Sequence, residues 1–218
     1  MKNNPHTSHD HLLRYRFRFL LITSTLVIIA LAWPTPPTWA RWGSLCLLVL
    51  AAINTLRHRH LLQRLALGTG FVSLALLGAD GMVHLPQALN DGLTLIVFYG
   101  LLASTLFHRV TSERPVTPEL LYGLCALYLQ IALAFAYAYQ VVNGLIPGAF
   151  GMPNGSDALG LDTFIYYSLA TLTTVGYGDI HAIAPAARLL ASAEAVTGVM
   201  FIAVSVARML ALMRDGDD

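Results

Sequence analysis

The chain contains 218 residues, of which 56% are hydrophobic and 11% are charged, and its formal net charge at pH 7 is +1. Soluble domains carry about 25% charged residues, and the mean hydropathy here is +0.62. This composition excludes an ordinary soluble domain and indicates an integral membrane protein. The sequence contains no catalytic serine, cysteine or paired-carboxylate arrangement, no phosphate-binding loop and no nucleic-acid-binding surface. We therefore expect neither an enzyme nor a nucleic-acid-binding protein.

Hydropathy predicts an all-α fold with six membrane-spanning helices. The predicted spans are residues 17–33, 39–56, 61–79, 92–107, 119–142 and 185–213. The third and fourth of these are short. Cys46 and Cys125 both lie within predicted spans and are interpreted as small apolar side chains rather than as a disulfide bridge.

The basic residues predict the orientation of these spans. Most of the 13 lysines and arginines fall on one side of the membrane, and only Arg41 and Arg188 fall on the other. The positive-inside rule then places both termini in the cytoplasm and the loop between the fifth and sixth spans outside. A basic stretch at residues 14–18, followed by an apolar run, also imitates a cleavable signal peptide. We favour an uncleaved first span, because the proline-rich residues 33–37 make a sensible outer turn.

A short helix is predicted between the fifth and sixth spans. Asp162 is a candidate N-cap for residues 163–173, which are too few to cross a bilayer. Such a helix directs the partial negative charge of its C-terminal end toward the membrane centre, where a cation that loses its water is stabilised. The preceding residues 143–160 are rich in Gly, Pro, Asn and Ser, and we expect them to form an exposed loop.

The run Thr-Thr-Val-Gly-Tyr-Gly-Asp at residues 173–179 directly follows this helix. A backbone that points successive carbonyl oxygens at one axis alternates between ordinary and left-handed φ values, and Gly176 and Gly178 tolerate the left-handed ones. Val175 and Tyr177 would then face away from the axis, while Thr174 adds a hydroxyl oxygen. The run therefore predicts a row of oxygen atoms that can replace the water shell of a potassium ion.

The segment Thr-Val-Gly-Tyr-Gly, followed by Asp179, resembles the selectivity filter of potassium channels, and the resemblance covers the chain from about residue 119 onward. It implies a K+-selective pore without a cofactor, in which K+ is the permeant ion. The residues that it implies for binding K+ are Thr174, Val175, Gly176, Tyr177 and Gly178. Because one chain supplies one copy of the filter, the fourfold arrangement of this family implies a homotetramer in a lipid bilayer.

The resemblance also divides the chain into parts. These are a cytoplasmic tail at residues 1–16, a four-helix membrane unit at 17–109, a cytoplasmic linker at 110–118, the pore unit at 119–214 and a short cytoplasmic tail at 215–218. The fourth span carries no basic residue, whereas voltage sensing needs several, since one elementary charge contributes only about 2.3 kcal/mol per 100 mV. We therefore expect no steep voltage dependence. Because few residues follow Arg214, we also expect no soluble ligand-binding domain.

Several residues around the filter are predicted to support it. Thr173 and Asp179 flank the filter at its two ends. Tyr166 and Tyr167 on the short helix are predicted to form an aromatic collar around Tyr177, with a hydroxyl group available to Asp179. The alternative for both residues is an ordinary tyrosine at the membrane interface.

Glu194 is an acid deep within the sixth predicted span, where an unpaired ionised carboxylate costs several kcal/mol. We hypothesise that it hydrogen-bonds hydroxyl groups of the short helix, such as those of Ser168 or Thr171, and steadies the filter. The alternative is a protonated glutamic acid bonded to a backbone carbonyl. Gly198 is either a gating hinge or a site of close helix packing. His181, at the predicted outer mouth, is either a modulator of ion entry or an exposed histidine without a role.

Three other classes of protein share parts of this pattern. A potassium transporter has a related pore but typically carries four degenerate filter segments in one chain. A non-conducting sensor or accessory subunit would use residues 1–117 as its active part. A nonselective cation channel is a nearer variant, which Tyr177 disfavours. The small size and the lack of a processing signal favour a bacterial inner membrane as the location.

Overall fold

The computed structural model describes residues 16–33, 95–104, 118–152 and 159–214, together with the single residues 43, 46, 68 and 107. Its elements in chain order are α1 (Arg16–Leu31), α2 (Leu95–Ser104), α3 (Pro118–Leu145), β1 (Phe150–Gly151), α4 (Leu161–Leu172), β2 (His181–Ala182) and α5 (Pro185–Arg214). Apart from those single residues, the second and third predicted spans lie outside the described part of the chain. Almost all of the predicted tails and linker lie outside it as well.

Among the described residues, two helices are long and apolar enough to cross a membrane. They are Glu119–Leu145 with 27 residues and Pro185–Leu210 with 26 residues, whereas a span needs about 20. Pro118 and Pro185 stand at the first positions of α3 and α5, where the N–H that proline lacks would have no partner within the helix. These two helices agree with the predicted fifth and sixth spans, and α1 and α2 are shorter apolar helices within the predicted first and fourth spans.

Helix α1 packs against α3 through two polar contacts. The Nε atom of Arg18 lies 2.6 Å from Oε1 of Glu119, and Nε2 of Gln130 donates a hydrogen bond of 2.6 Å to Oγ of Ser24. Gln130 and Ser24 are fully buried, so they meet among apolar side chains, where each polar group needs a partner. Both contacts occur in the same order along the two helices. Helices α1 and α3 therefore run in the same direction, as predicted for the first and fifth spans.

Helix α2 packs against the same helix α3. The ring of Tyr99 stacks on that of Tyr137 with 5.5 Å between the centroids, and Phe98 meets Tyr99 in an edge-to-face arrangement. Both geometries are favourable for aromatic pairs. Helices α1 and α2 thus pack on α3 of their own chain, which the sequence did not decide.

Within the predicted exposed loop at residues 143–160, the described residues 143–152 contain regular secondary structure. Helix α3 continues to Leu145, and β1 pairs antiparallel with β2, so that Phe150 lies opposite Ala182 and Gly151 opposite His181. The prediction was wrong for these residues, because strands of two residues are too short to show an alternating hydrophobic pattern. The pairing ties the segment before α4 to the segment after residues 173–179.

The short helix α4 has 12 residues and is therefore about 18 Å long at 1.5 Å per residue, less than the ~30 Å thickness of a bilayer core. It begins at Leu161 with Gly160 as its N-cap, so the prediction of Asp162 as N-cap was wrong. Asp162 lies in the first turn instead, where its negative charge complements the positive end of the helix.

An aromatic cluster fixes α4 against α3 and β1. Its members have neighbouring ring centroids 5.0–6.4 Å apart, and they are Tyr139, Phe150, Phe164 and Tyr167. All four side chains are buried. Because large rings bury much apolar area and interlock edge to face, this cluster sets the position of α4 and hence of the residues that leave its C-terminal end.

Candidate functional site

Residues 173–179 leave the C-terminal end of α4 with an alternating backbone. The φ angles of Thr174, Gly176 and Gly178 are 62°, 55° and 79°, and among the described residues Gly148 is the other one with positive φ. The left-handed conformation predicted for the two glycines is therefore present. Thr174 was not predicted to share it, and left-handed φ in a β-branched residue is a genuine outlier. Such strain concentrates at functional sites, where the surrounding structure enforces it.

The N–H groups at the start of this run are bonded back to the last turn of α4. Thr174 N donates to Thr171 O at 3.0 Å, and both Val175 N and Gly176 N donate to Ala170 O, at 2.9 and 3.1 Å. In a trans peptide the carbonyl points opposite to the N–H of the next residue. The carbonyl oxygens of residues 173, 174 and 175 therefore all face away from α4.

These carbonyl oxygens face a solvent-exposed side of the chain. Every residue from 173 to 179 is exposed, and the side chains of Val175 and Tyr177 are 52% and 70% exposed. The hydroxyl of Thr173 holds the start of the run in place, because its Oγ1 donates a hydrogen bond of 2.6 Å to Leu169 O. One chain thus presents a single row of aligned oxygen atoms at its surface.

Tyr166 connects α4 to the far end of the run. Its hydroxyl donates a hydrogen bond of 2.8 Å to Oδ2 of Asp179, and its ring stacks on Tyr177 with a centroid distance of 6.1 Å and an interplanar angle of 7°. The bond to Asp179 raises the pKa of Tyr166, with burial and the negative charge of Asp179 acting in the same direction. A tyrosine hydroxyl is protonated at neutral pH in any case, and this shift acts in the same direction. This confirms the predicted contacts of Tyr166.

Tyr167 takes no part in this arrangement within the chain. Its ring contacts are with Tyr139 and Phe150, and its side chain is buried whereas that of Tyr166 is 40% exposed. Adjacent helical residues point about 100° apart, so within the chain Tyr166 and not Tyr167 contacts Tyr177, and the predicted part of Tyr167 in a collar stays a prediction. Tyr166 faces the run and Tyr167 faces the core.

Under the K+-selective pore that the resemblance implies, we expect Tyr166→Phe to make currents decline several-fold faster during sustained conduction. The ring still stacks on Tyr177, but Asp179 loses its hydroxyl partner, so the outer end of the run is held less firmly. Current recordings from the protein reconstituted in planar lipid bilayers measure this decline. Tyr99→Phe, which removes the hydroxyl of a ring that stacks on Tyr137 of α3, is the control and should leave the time course unchanged. Equal time courses for Tyr166→Phe and the wild type would contradict the assigned role.

Glu194 lies behind α4, in a fully buried position on α5. Its Oε2 accepts a hydrogen bond from the hydroxyl of Tyr139, and its Oε1 is hydrogen-bonded to Oγ of Ser168. The predicted contact between Glu194 and Ser168 is thus confirmed, while its effect on the filter stays a prediction. Tyr139 was missed, because α3 carries several tyrosines and the sequence does not indicate which of them faces α5.

Gly198 lies against the C-terminal end of α4. A Cβ atom at Gly198 would be 3.0 Å from the carbonyl carbon of Leu172 and closer still to its oxygen. The same oxygen accepts a hydrogen bond of 2.8 Å from the hydroxyl of Tyr128 on α3. Close packing, one of the two alternatives for Gly198, is therefore present. The role as a gating hinge stays a prediction, as does any effect of His181, which is an exposed residue of β2.

Residues 125–215 match a family model described as "Ion channel". The matched stretch begins within α3, includes α4 and residues 173–179, and extends one residue beyond α5. No curated protein matches the chain. The match supports ion channel activity for this part of the chain, and together with the two helices of spanning length it supports a location in a membrane.

Proposed function

We propose that this chain is one subunit of a potassium-selective channel that conducts K+ passively through residues 174–178. The observation that carries the proposal is the direction of the carbonyl groups. Thr174, Val175 and Gly176 direct their N–H groups to α4, so the carbonyl oxygens before them point to the exposed side. Rows of backbone carbonyls of this kind replace the hydration shell of K+ in selectivity filters. The alternating left-handed φ values support the same conclusion.

The proposed channel is a homotetramer. A single row of carbonyls cannot surround an ion, so copies of the row must face one another across an axis. The uncovered surfaces of one chain support this assembly: half of the spanning segment of α3 is buried inside the chain, but only 11% of that of α5 is. Helix α5 thus has most of its surface free for neighbouring subunits, for the pore and for lipid.

The direction of helix α4 supports conduction of a cation. Its C-terminal end leads directly into the run of residues 173–179, and the C-terminal end of a helix carries partial negative charge. In the proposed tetramer, four such ends converge near the axis and stabilise a cation that has lost part of its water. The membrane supplies no such stabilisation, since its core contains no water to solvate an ion.

We propose that gating does not depend steeply on voltage. The described helix of the fourth predicted span, α2, contains no charged residue, and its buried aromatic side chains Phe98 and Tyr99 pack against the pore unit. Without charges that cross the membrane field, a voltage change does little work on α2. The proposed location is the inner membrane of a bacterium, with both termini in the cytoplasm.

Potassium flux through proteoliposomes of the purified chain tests the proposal. We expect uptake of K+ down its gradient, block by Ba2+, and a much smaller flux when Na+ replaces K+, as expected for a filter lined by backbone carbonyls. Comparable flux of both cations would instead indicate a nonselective cation channel. Absence of flux from a chain shown by chemical cross-linking to be tetrameric would favour a non-conducting accessory subunit.

A further inference from the structure

Three elements of the pore unit meet at the carboxyl group of Glu194. Helix α5 contributes Glu194 itself, α4 contributes Ser168, and α3 contributes the hydroxyl of Tyr139 and the backbone carbonyl of Ala132. Glu194 and Ser168 are both completely buried, as is Tyr139. The side chains of Glu194, Ser168 and Tyr139 therefore have to satisfy their hydrogen-bonding capacity within the protein, because none of them reaches solvent within the chain.

The surroundings of Glu194 contain no cation among the described residues that pack against it. Helices α3 and α4 carry no lysine or arginine, and their acids are Glu119 and Asp162 at the opening turns. The nearest base on α5 itself is Arg188, more than one helical turn earlier, and its Nε donates to Ala182 O at 3.2 Å. An ionised Glu194 would thus be a buried charge without a counter-ion, which is expensive in a membrane protein.

The number of hydrogen atoms shared by Glu194, Ser168 and Tyr139 distinguishes the ionised form of Glu194 from the neutral one. A serine hydroxyl has one hydrogen to donate, but Oγ of Ser168 lies next to two oxygen atoms, Oε1 of Glu194 and, at 2.7 Å, Ala132 O. A backbone carbonyl can only accept, so the hydrogen of Ser168 serves the contact with Ala132 O. The hydrogen between Ser168 and Glu194 must then belong to Glu194.

We propose that Glu194 is a neutral carboxylic acid that donates its own proton to Ser168 and thereby positions α4 beneath the filter. The hydrogen bonds form one chain: Tyr139 donates to Oε2 of Glu194, Glu194 donates through Oε1 to Ser168, and Ser168 donates to Ala132 O. Every hydrogen has one acceptor, and no charge is buried. The chain begins and ends on α3 and passes through α5 and α4, so it sets the position of α4 relative to both spanning helices.

The effect of Glu194 on the filter is transmitted through α4. Ser168 is two residues before Ala170, whose carbonyl oxygen accepts the N–H groups of both Val175 and Gly176. A movement of α4 at Ser168 therefore moves the groups that orient the carbonyls of the filter. Glu194 is a positioning residue in this arrangement, since it lies behind α4 and touches neither the carbonyl row nor an ion within it.

If Glu194 is a neutral acid, the protein should tolerate its replacement by glutamine. Glu194→Gln keeps an acceptor oxygen for Tyr139 and an N–H donor for Ser168 but cannot ionise, so we expect K+ flux within about twofold of the wild type. Glu194→Leu removes both hydrogen bonds and leaves the hydroxyl of Tyr139 buried without a partner. We expect this variant to lose at least ~10-fold in flux, equivalent to about 1.4 kcal/mol, and to form a tetramer that dissociates at lower temperature.

A spectroscopic measurement tests the protonation state independently of conduction. The infrared spectrum of the purified wild type at pH 7 should contain a carbonyl stretch of a protonated carboxylic acid that shifts in D2O, and this band should be missing from Glu194→Gln. Glu119→Gln is the matched control, because Glu119 pairs with Arg18 at 2.6 Å and is a carboxylate in that pair. Its substitution should leave the band intact.

The outcomes separate this inference from the proposed function on which its flux readout rests. If the wild type fails to conduct K+, the infrared band and the thermal stability of the tetramer still test Glu194. If Glu194→Gln is as damaging as Glu194→Leu, or if the wild type lacks the band, Glu194 is an ionised carboxylate and the inference is wrong. If Glu194→Leu does not assemble, Glu194→Gln alone tests the inference. Near-normal K+ flux through Glu194→Gln, together with loss of the infrared band, supports a neutral Glu194.

Discussion

Gly176→Ala is expected to reduce K+ flux through the reconstituted channel by more than about tenfold. Gly176 has a φ of +55°, a conformation that costs a residue with a Cβ atom roughly 1–3 kcal/mol. The backbone relieves this strain by rotating about the N–Cα bond of residue 176, which reorients the peptide group between residues 175 and 176. The carbonyl of Val175 then no longer lies in line with its neighbours. In a tetramer the misalignment occurs in every subunit.

The matched control for this variant is Gly148→Ala. Gly148 has a φ of +76° and, like Gly176, no atom within 4 Å of a Cβ placed on it, but it lies in the turn between α3 and β1. It therefore carries the same kind of backbone strain away from the filter. Proteoliposome flux should be near normal for Gly148→Ala and nearly lost for Gly176→Ala. Equal flux through the two variants would contradict the role of the carbonyl row.

The second large effect is expected for Gly198→Ala. Its Cβ atom would meet the backbone of Leu172, with 3.0 Å to the carbonyl carbon and less to the oxygen. Because a helix backbone cannot turn aside like a flexible side chain, α4 and α5 have to separate. The oxygen of Leu172 that would be displaced also accepts the hydrogen bond from Tyr128. Overpacking of this kind typically costs about 1–3 kcal/mol, and we expect the tetramer to dissociate at a clearly lower temperature in detergent.

This experiment also separates the two roles considered for Gly198. A residue that serves only as a gating hinge would, when replaced by alanine, change the open probability but not the stability of the assembled tetramer. A residue that serves for packing changes both. Gly100→Ala is the control, since Gly100 lies in α2 with open space around its Cα atom and alanine favours a helix by up to ~1 kcal/mol. A tetramer of Gly198→Ala as heat-resistant as the control would count against the packing role.

The buried polar contacts show where reasoning from the sequence succeeds and where it stops. A carboxyl group within an apolar helix must find a hydrogen-bonding partner, so the contact between Glu194 and Ser168 was predictable from their positions on neighbouring segments. The second partner, Tyr139, was not, because the rotation of α3 about its axis decides which of its tyrosines faces α5. Gln130 and Ser24 are a similar case, since their pairing depends on how α1 lies along α3.

The sequence by itself determined the apolar helices α3 and α5, the short helix between them and the two glycines with left-handed backbone, because these depend on local composition and on the conformational freedom of single residues. The tertiary structure alone decided three further features. They are the left-handed φ of Thr174, the choice of Tyr166 rather than Tyr167 as the one that faces residues 173–179, and the pairing of β1 with β2. The last two depend on contacts between separate segments, whereas the φ of Thr174 accompanies the hydrogen bonds of residues 174–176 to the last turn of α4.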